Sequence, residues 1–267
     1  MDKYFLYIDI LGFSELVQNN SPEIDELYVI IASLNVHRHE VFKTIIFSDT
    51  ILIYNNKEPK TQNDNYYIVM YLCEFVQDLQ HRLAGRSIVF RAIITKGQFI
   101  HYEINSIPCF YGSALVDTYN SEKKIQAMGL FIDDNCIKDC NIFNFCDYNE
   151  KYKFVFITKM MDKLEFEYGG YFPLKQFEVE QTELDYFLIP EILMIEKIYR
   201  NSIKQLDEKV KLKYLNTFEI YKKRYPNTIQ GLLQNDFSPN FISPKLNWDI
   251  KVNRFPEDFT YIKRMKK

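Results

Sequence analysis

Residues 4–10, Tyr-Phe-Leu-Tyr-Ile-Asp-Ile, are an apolar run with one carboxylate, Asp9, set inside it. The run suits a buried strand and is too short for a core helix. Leu11-Gly12-Phe13 reads as a turn, and Ser14 as a cap for a following helix. An ionised carboxylate in a buried strand is costly unless a cation or hydrogen-bond donor compensates it. Asp9 therefore needs an explanation that its apolar neighbours do not.

Working outward, Pro22 precedes Ile24, Leu27, Tyr28, Ile31 and Leu34 at helical spacing. Val41 to Tyr54 (VFKTIIFSDTILIY) reads as two strands joined by a tight turn at Ser48-Asp49. Lys57 to Asn65 is polar and looks disordered, and Tyr66 to Leu83 is an amphipathic helix stopped by Gly85. Ser87 to Thr95 is a strand, with Phe99 to Tyr102 as its hairpin partner. A helix is expected from Ser113 to about Met128, and short strands at Leu130–Ile132 and Lys153–Thr158.

Residues 1–132 thus read β-α-β-β-α-β-β-α-β, the α/β (α+β) ferredoxin-like, split βαβ layout with a mixed or antiparallel sheet. Residues 190–224 read as one long helical stretch that Pro226 ends. The tail from Asn227, with Pro239, Pro244 and Pro256, is expected to wrap the domain without regular structure. The expected division is a catalytic domain over 1–185 and a helical C-terminal extension, packed on it, over 186–267.

Composition bounds the function. The 267 residues are 47% hydrophobic and 26% charged, a globular balance. With 33 Lys and Arg against 36 Asp and Glu, the net charge of −3 offers no broad basic footprint for nucleic acid. No apolar run reaches membrane-span length and the N-terminus is no signal peptide, which predicts a cytoplasmic protein without a membrane span. Five cysteines, three of them clustered at Cys136, Cys140 and Cys146, read as reduced thiols packed as small apolar groups. Twenty Tyr and 22 Phe supply a large core and oligomer-interface material.

The chemistry concentrates at strand ends. Asp49 sits at the hairpin tip, and a split βαβ sheet makes that hairpin a neighbour of the first strand, so Asp9 and Asp49 can face each other. Two close carboxylates repel, and a divalent cation resolves the repulsion. On the other reading, Asp49 is a turn residue only. Ile10-Leu11-Gly12-Phe13-Ser14 is a strand-to-helix turn suited to cradling phosphates with its amides.

Asp9-Ile10-Leu11-Gly12-Phe13, Phe47-Ser48-Asp49, Arg91-Ala92-Ile93-Ile94-Thr95-Lys96-Gly97 and Tyr111-Gly112-Ser113-Ala114-Leu115, in that order, resemble the class III nucleotidyl cyclases over residues 4–132. Gly112 to Glu122 (GSALVDTYNSE) is similar to the G-x-A-L/I-V-x-A-Y-x-L-E helix of the pyrimidine cyclases of the Pycsar antiphage defence system, and Val210–Tyr214 to their C-terminal helix.

The resemblance implies cyclisation of a nucleoside triphosphate to the 3′,5′-cyclic monophosphate and pyrophosphate, in a head-to-tail homodimer with sites at the interface. It implies two Mn²⁺ or Mg²⁺ ions on Asp9, Asp49 and the Ile10 carbonyl. Triphosphate binding falls to Leu11, Gly12, Phe13, Ser14 and Arg91, though an Arg paired with a carboxylate is the competing reading of Arg91. Where adenylate cyclases carry a transition-state Asn and Arg, this chain has Val116 and Asn120; Asn120 is the candidate catalytic side chain. The late helix lysines Lys123 and Lys124 are either extra positive charge or a solvated face.

At the base-selecting positions stand Ile45 and Cys109, with Phe47 as a filler. An apolar Ile45 does not read a purine edge by hydrogen bonding. The expected substrate is a pyrimidine ribonucleoside triphosphate, UTP before CTP, and the expected partner a cyclic-nucleotide-responsive effector acting through the product. A purine cyclase and an inactive nucleotide-binding sensor are the alternatives.

Overall fold

The computed structural model describes residues 2–19, 22–34, 39–86, 88–181 and 184–248. These fall into two compact units, one within Met1–Leu79 and Ile88–Ile157, the other within Gln80–Ser87 and Thr158–Lys267. Residues 158–185 thus belong with the second unit.

The first unit is built on β1 (Asp2–Leu11), α1 (Phe13–Gln18), α2 (Glu23–Ser33), β2 (Phe42–Phe47), β3 (Thr50–Asn55), α3 (Gln62–Leu83, up to Leu79) and β4 (Val89–Gln98). There follow β5 (Ile100–Ile104), β6 (Ile107–Tyr111), α4 (Ser113–Glu122), β7 (Gly129–Asp133), α5 (Asp134–Ile137), β8 (Asn144–Asp147) and β9 (Tyr152–Phe156). The seven-stranded sheet has the order β2-β3-β1-β4-β7-β9-β8, and every neighbouring pair is antiparallel except β4 and β7. Its first four strands, with helices joining β1 to β2 and β3 to β4, are the split βαβ layout expected from the sequence.

The register of β1 decides what each face carries. Opposed residues in a ladder share a face. Asp9 stands across from Thr50 of β3 on one side and Arg91 of β4 on the other, while Thr50 stands across from Phe47 of β2. One turn of pleat below, Ile45, Leu52, Tyr7 and Ile93 form the next row of the same face. Phe5, Tyr7, Leu52, Tyr54, Phe99 and Ala114 of α4 cluster there. The opposite face presents Tyr4, Leu6, Ile8 and Ile10, all buried. The Tyr4 hydroxyl lies 2.7 Å from both Asn65 Oδ1 of α3 and Asp139 Oδ2.

Local departures from the sequence reading have physical causes. The helix expected from Tyr66 starts at Gln62. Thr61 and Asp64 form a reciprocal cap: the Thr61 hydroxyl accepts from Asp64 N at 3.2 Å, and the Asp64 carboxylate accepts from Thr61 N at 2.8 Å. The polar stretch is therefore an ordered helix start. Residues 100–104 pair with β6, not with β4. The Asn105-Ser106 turn has φ of 51° and 65°, the mirror-image geometry of a two-residue hairpin. The helix expected to reach Met128 stops at Glu122, where Lys124 N and Ile125 N turn back to the carbonyls of Ser121 and Glu122. That tightening takes Ile125 into the core.

The second unit holds α6 (Lys159–Asp162), a π-helical turn (Lys163–Glu167), α7 (Gln176–Gln181), α8 (Leu184–Lys204), α9 (Glu208–Arg224), α10 (Pro226–Gln234) and a 3₁₀ turn (Pro239–Phe241). The stretch read as one helix over 190–224 is two, because Asp207 caps a new start by accepting from Lys209 N at 2.8 Å. The helical stretch does end at Arg224, as expected, and Pro226 then begins a further helix, as proline does at the first helical position. The tail from Asn227 accordingly opens as regular helix; Pro256 lies outside the described residues. Among the described residues no helix is long and apolar enough to cross a membrane.

Gly112, between β6 and α4, has φ +157°, and a Cβ there would fall on the carbonyl oxygen of Gln98. Gly112→Ala is expected to destabilise the protein by about 2–3 kcal/mol, read as a lower urea midpoint at unchanged m value.

Candidate functional site

The row Phe47–Thr50–Asp9–Arg91 crosses four strands at the end of the sheet where β1 runs into α1. Beside it the β2–β3 turn brings up Asp49. The Ile10 amide donates to the Asp49 carbonyl at 2.9 Å, which ties the turn to β1 one residue beyond Asp9. Ser48 adopts a φ of 54°, and its carbonyl accepts from the Tyr28 hydroxyl of α2 at 3.1 Å. The hairpin tip is thus held from both sides. Asp49 Oδ1 is 3.4 Å from the Thr50 hydroxyl.

Tyr7, two residues before Asp9 on the same face, registers both acids. Burial raises its phenol pKa above the ordinary value; a hydrogen bond with Thr50 opposes that, and the charges of Asp9 and Asp49 add to it. Both carboxylates therefore lie within electrostatic reach of one buried hydroxyl. Their chemistry, two hard oxygen donors at the same end of the sheet, is of the kind that Mg²⁺ or Mn²⁺ takes from a protein when a triphosphate supplies further oxygens. No cluster of three or more His, Cys, Asp or Glu side chains suited to a metal occurs among the described residues.

Arg91 lies on the other flank of Asp9 and is 2% exposed. Its guanidinium is 3.6 Å from Asp9 Oδ2, makes a closer ion pair with Glu122 of α4, and donates to the Ile125 carbonyl. Burial lowers the guanidinium's pKa, and Asp9 opposes the shift. The structure therefore shows Arg91 as an arginine paired with carboxylates inside the unit, in contrast to an arginine presented to a phosphate. Glu122 was not among the sequence candidates. The signal lay in α4 itself: Ala114, Thr118 and Glu122 recur every four residues and are its buried stripe.

The other sequence candidates are distributed around this row. Gly12 has φ +77°, which turns the chain out of β1 into α1, and Glu15 N and Leu16 N close back on its carbonyl. Leu11 still belongs to β1 opposite Val89, the Phe13 side chain is buried, and Ser14 is exposed. Asn120 is exposed on α4 with Val116, on the side away from Glu122's stripe, so this chain does not bring Asn120 to its own Asp9–Asp49 pair.

Ile45 packs against the Tyr7–Leu52 cluster, and Phe110 and Leu115 pack there too. Cys109 is half-buried on β6 opposite Tyr102. Neighbours along a strand point to opposite faces, so Phe110, not Cys109, joins Ile45 at this cluster. Phe47 is 72% exposed. The three base-contact candidates therefore do not form one closed pocket within the chain.

No protein-family model matches this sequence, and no curated protein does. Among solved structures, it is similar to the guanylyl cyclase Cya2 at 13% identity and a TM-score of 0.39, over 58% of this chain and 91% of that one. It is similar to the adenylyl cyclase CyaB from P. aeruginosa at 10% identity and a TM-score of 0.41, over 58% and 93%. A third is the guanylyl cyclase domain of the RhoGC fusion protein from the aquatic fungus Blastocladiella emersonii, at 14% identity and a TM-score of 0.43, over 58% and 94%. At these TM-scores the likenesses carry no argument about chemistry, which rests on the residues above.

Arg91→Met would leave the buried Glu122 carboxylate, and the partly buried Asp9 beside it, without their cation. The expected cost is about 3–5 kcal/mol in urea unfolding, with part of it recovered when Glu122→Gln is added. Equal stability of wild type and Arg91→Met would show that the guanidinium does not compensate these acids.

Proposed function

We propose that the first unit is a nucleotidyl cyclase that converts a pyrimidine ribonucleoside triphosphate, UTP before CTP, to its 3′,5′-cyclic monophosphate and pyrophosphate. The observation that carries the reading is the placement of Asp9 and Asp49 together at one end of a split βαβ sheet, with the Ile10 amide bonded to the Asp49 carbonyl. In the reaction the ribose 3′-oxygen bonds to the α-phosphorus, the bond from that phosphorus to the bridging oxygen breaks, and the hydroxyl proton is released.

Asp9, Asp49 and the Ile10 carbonyl would hold two Mn²⁺ or Mg²⁺ ions, which when bound neutralise triphosphate charge and make the 3′-hydroxyl more acidic. Arg91 acts here as a positioning residue, holding Asp9 from the flank away from the substrate. Gly12 opens the turn, letting main-chain amides of residues 11–14 approach the phosphates. Ile45 and Phe47, on one face of β2, offer apolar contact and no hydrogen bond to a purine edge, while Cys109 on β6 does not stand beside them.

Asn120 belongs to the exposed face of α4, and Ile104, Ile107, Tyr111, Val116 and Tyr119 are exposed on β5, β6 and α4. A second copy covering these residues would form the homodimer, with Asn120 of one copy completing the site of the other. The cyclic product would act through a cyclic-nucleotide-responsive effector in antiphage defence. Engagement of Arg91 by two carboxylates favours, as a second reading, a nucleotide-binding sensor without turnover.

Incubation with each of the four ribonucleoside triphosphates and Mn²⁺, with chromatographic resolution of products, tests the proposal. UTP or CTP should give cyclic product at up to ~10⁴ times the rate from ATP or GTP. Comparable rates with ATP would remove the pyrimidine reading, and nucleotide binding without product would leave the sensor. Asp9→Ala and Asp49→Ala should each bring turnover to background while the folded far-ultraviolet spectrum is kept; activity in either variant would remove the two-ion assignment.

A further inference from the structure

The second unit carries a feature that cyclase chemistry does not use. Helices α8 and α9 form a hairpin held by Tyr199 on Phe218, with ring centroids 5.0 Å apart. The buried Tyr214 also hydrogen-bonds with Asn201. Beyond these contacts the hairpin ends in Ile203-Lys204-Gln205-Leu206-Asp207-Glu208-Lys209. Ile203 is 57% exposed and Leu206, in the turn itself, is 92% exposed. Large aliphatic side chains at the apex of a rigid hairpin gain nothing from the fold they leave.

The charge around them is one-sided. Between Ile203 and Leu215 stand four lysines, at 204, 209, 211 and 213, against two acids, in a protein whose net charge is −3. Both acids are engaged locally. The Asp207 carboxylate accepts from Lys209 N at 2.8 Å and Val210 N at 3.1 Å, and Glu208 pairs with Lys211 at 3.4 Å. Lys204 and Lys209 are exposed on either side of Leu206. Leu212 and Leu215 continue the exposed aliphatic positions along α9.

We propose that the α8–α9 tip docks on an anionic lipid surface, with Leu206 and Ile203 inserted at the headgroup–acyl boundary and the flanking lysines on lipid phosphates. A stable protein partner needs about 800 Å² on each side. A bilayer is engaged by a few inserted side chains together with flanking cations, each lysine adding roughly fivefold to partitioning. The protein would thus lie on a membrane without spanning it, independently of what its first unit catalyses.

Cosedimentation of the full chain with phosphatidylcholine vesicles, with and without phosphatidylserine, tests this. Binding is expected to the phosphatidylserine vesicles and to fall as salt is raised. The pair Ile203→Asp, Leu206→Asp, at exposed positions, should weaken it roughly tenfold or more with an unchanged circular dichroism spectrum. Lys204→Glu with Lys209→Glu should do the same and reduce the salt dependence. No binding to phosphatidylserine vesicles, equal binding to neutral ones, or full binding by the aspartate pair would overturn the proposal. So would concentration-dependent self-association in gel filtration that the aspartate pair abolishes, since the tip would then be an interface between copies.

Discussion

Asp9 lies in the third strand of a seven-stranded sheet, opposite Arg91 on one side and Thr50 on the other. A carboxylate at that depth is tolerated because its charge is met across the ladder by a guanidinium that is itself removed from water. Arg91 in turn makes a closer ion pair with a second acid, Glu122 of α4. The position of α4 therefore depends on β1 and β4 through one ionic contact as well as through Ala114. Helix, central strands and candidate site form one structural problem with one solution.

The hairpin tip adds the second acid through main-chain bonding. Asp49 is tied to β1 by its carbonyl, which accepts from the Ile10 amide, so the backbone and not the carboxylate sets its place beside Asp9. Tyr28 and the left-handed Ser48 fix the tip from the helix side. The same economy appears in the second unit with buried acids. Glu165 accepts from the amides of Asn227 and Thr228 at the start of α10, and Glu191 from the amides of Met160 and Met161. Burial raises the Glu191 pKa, opposed by His81 and by those amides. Buried acids cap helices in both units, Asp133 at the start of α5 included, whereas the only partly buried Asp9 and Asp49 stand at a sheet end.

Much of the architecture was legible in the order of residues. The run Tyr4–Ile10 is a strand in any reading, because its length and β-branched content allow little else. The VFKTIIFSDTILIY hairpin turns where Ser48-Asp49 predicts, and an acid stranded in apolar surroundings marked β1 before any partner was visible. Short-range chemistry is ambiguous in the sequence where two signals compete. Thr61 and Asp64 have loop composition and form a helix cap, and Pro226, which marks the end of α9, also starts α10.

The sequence by itself determined the alternation of strands and helices, the faces of the long helices and the two acids worth watching, since periodicity and turn chemistry act between residues close along the chain. Only the tertiary structure decided that Arg91 faces Asp9 and Glu122, that Phe110 and not Cys109 joins Ile45, and that Asn120 turns away from Asp9. Those outcomes follow from ladder register and helix rotation, which are set by contacts between residues dozens of positions apart. A shift of one residue in register would have sent Arg91 to the other face, and nothing local to RAIITKG forbids it.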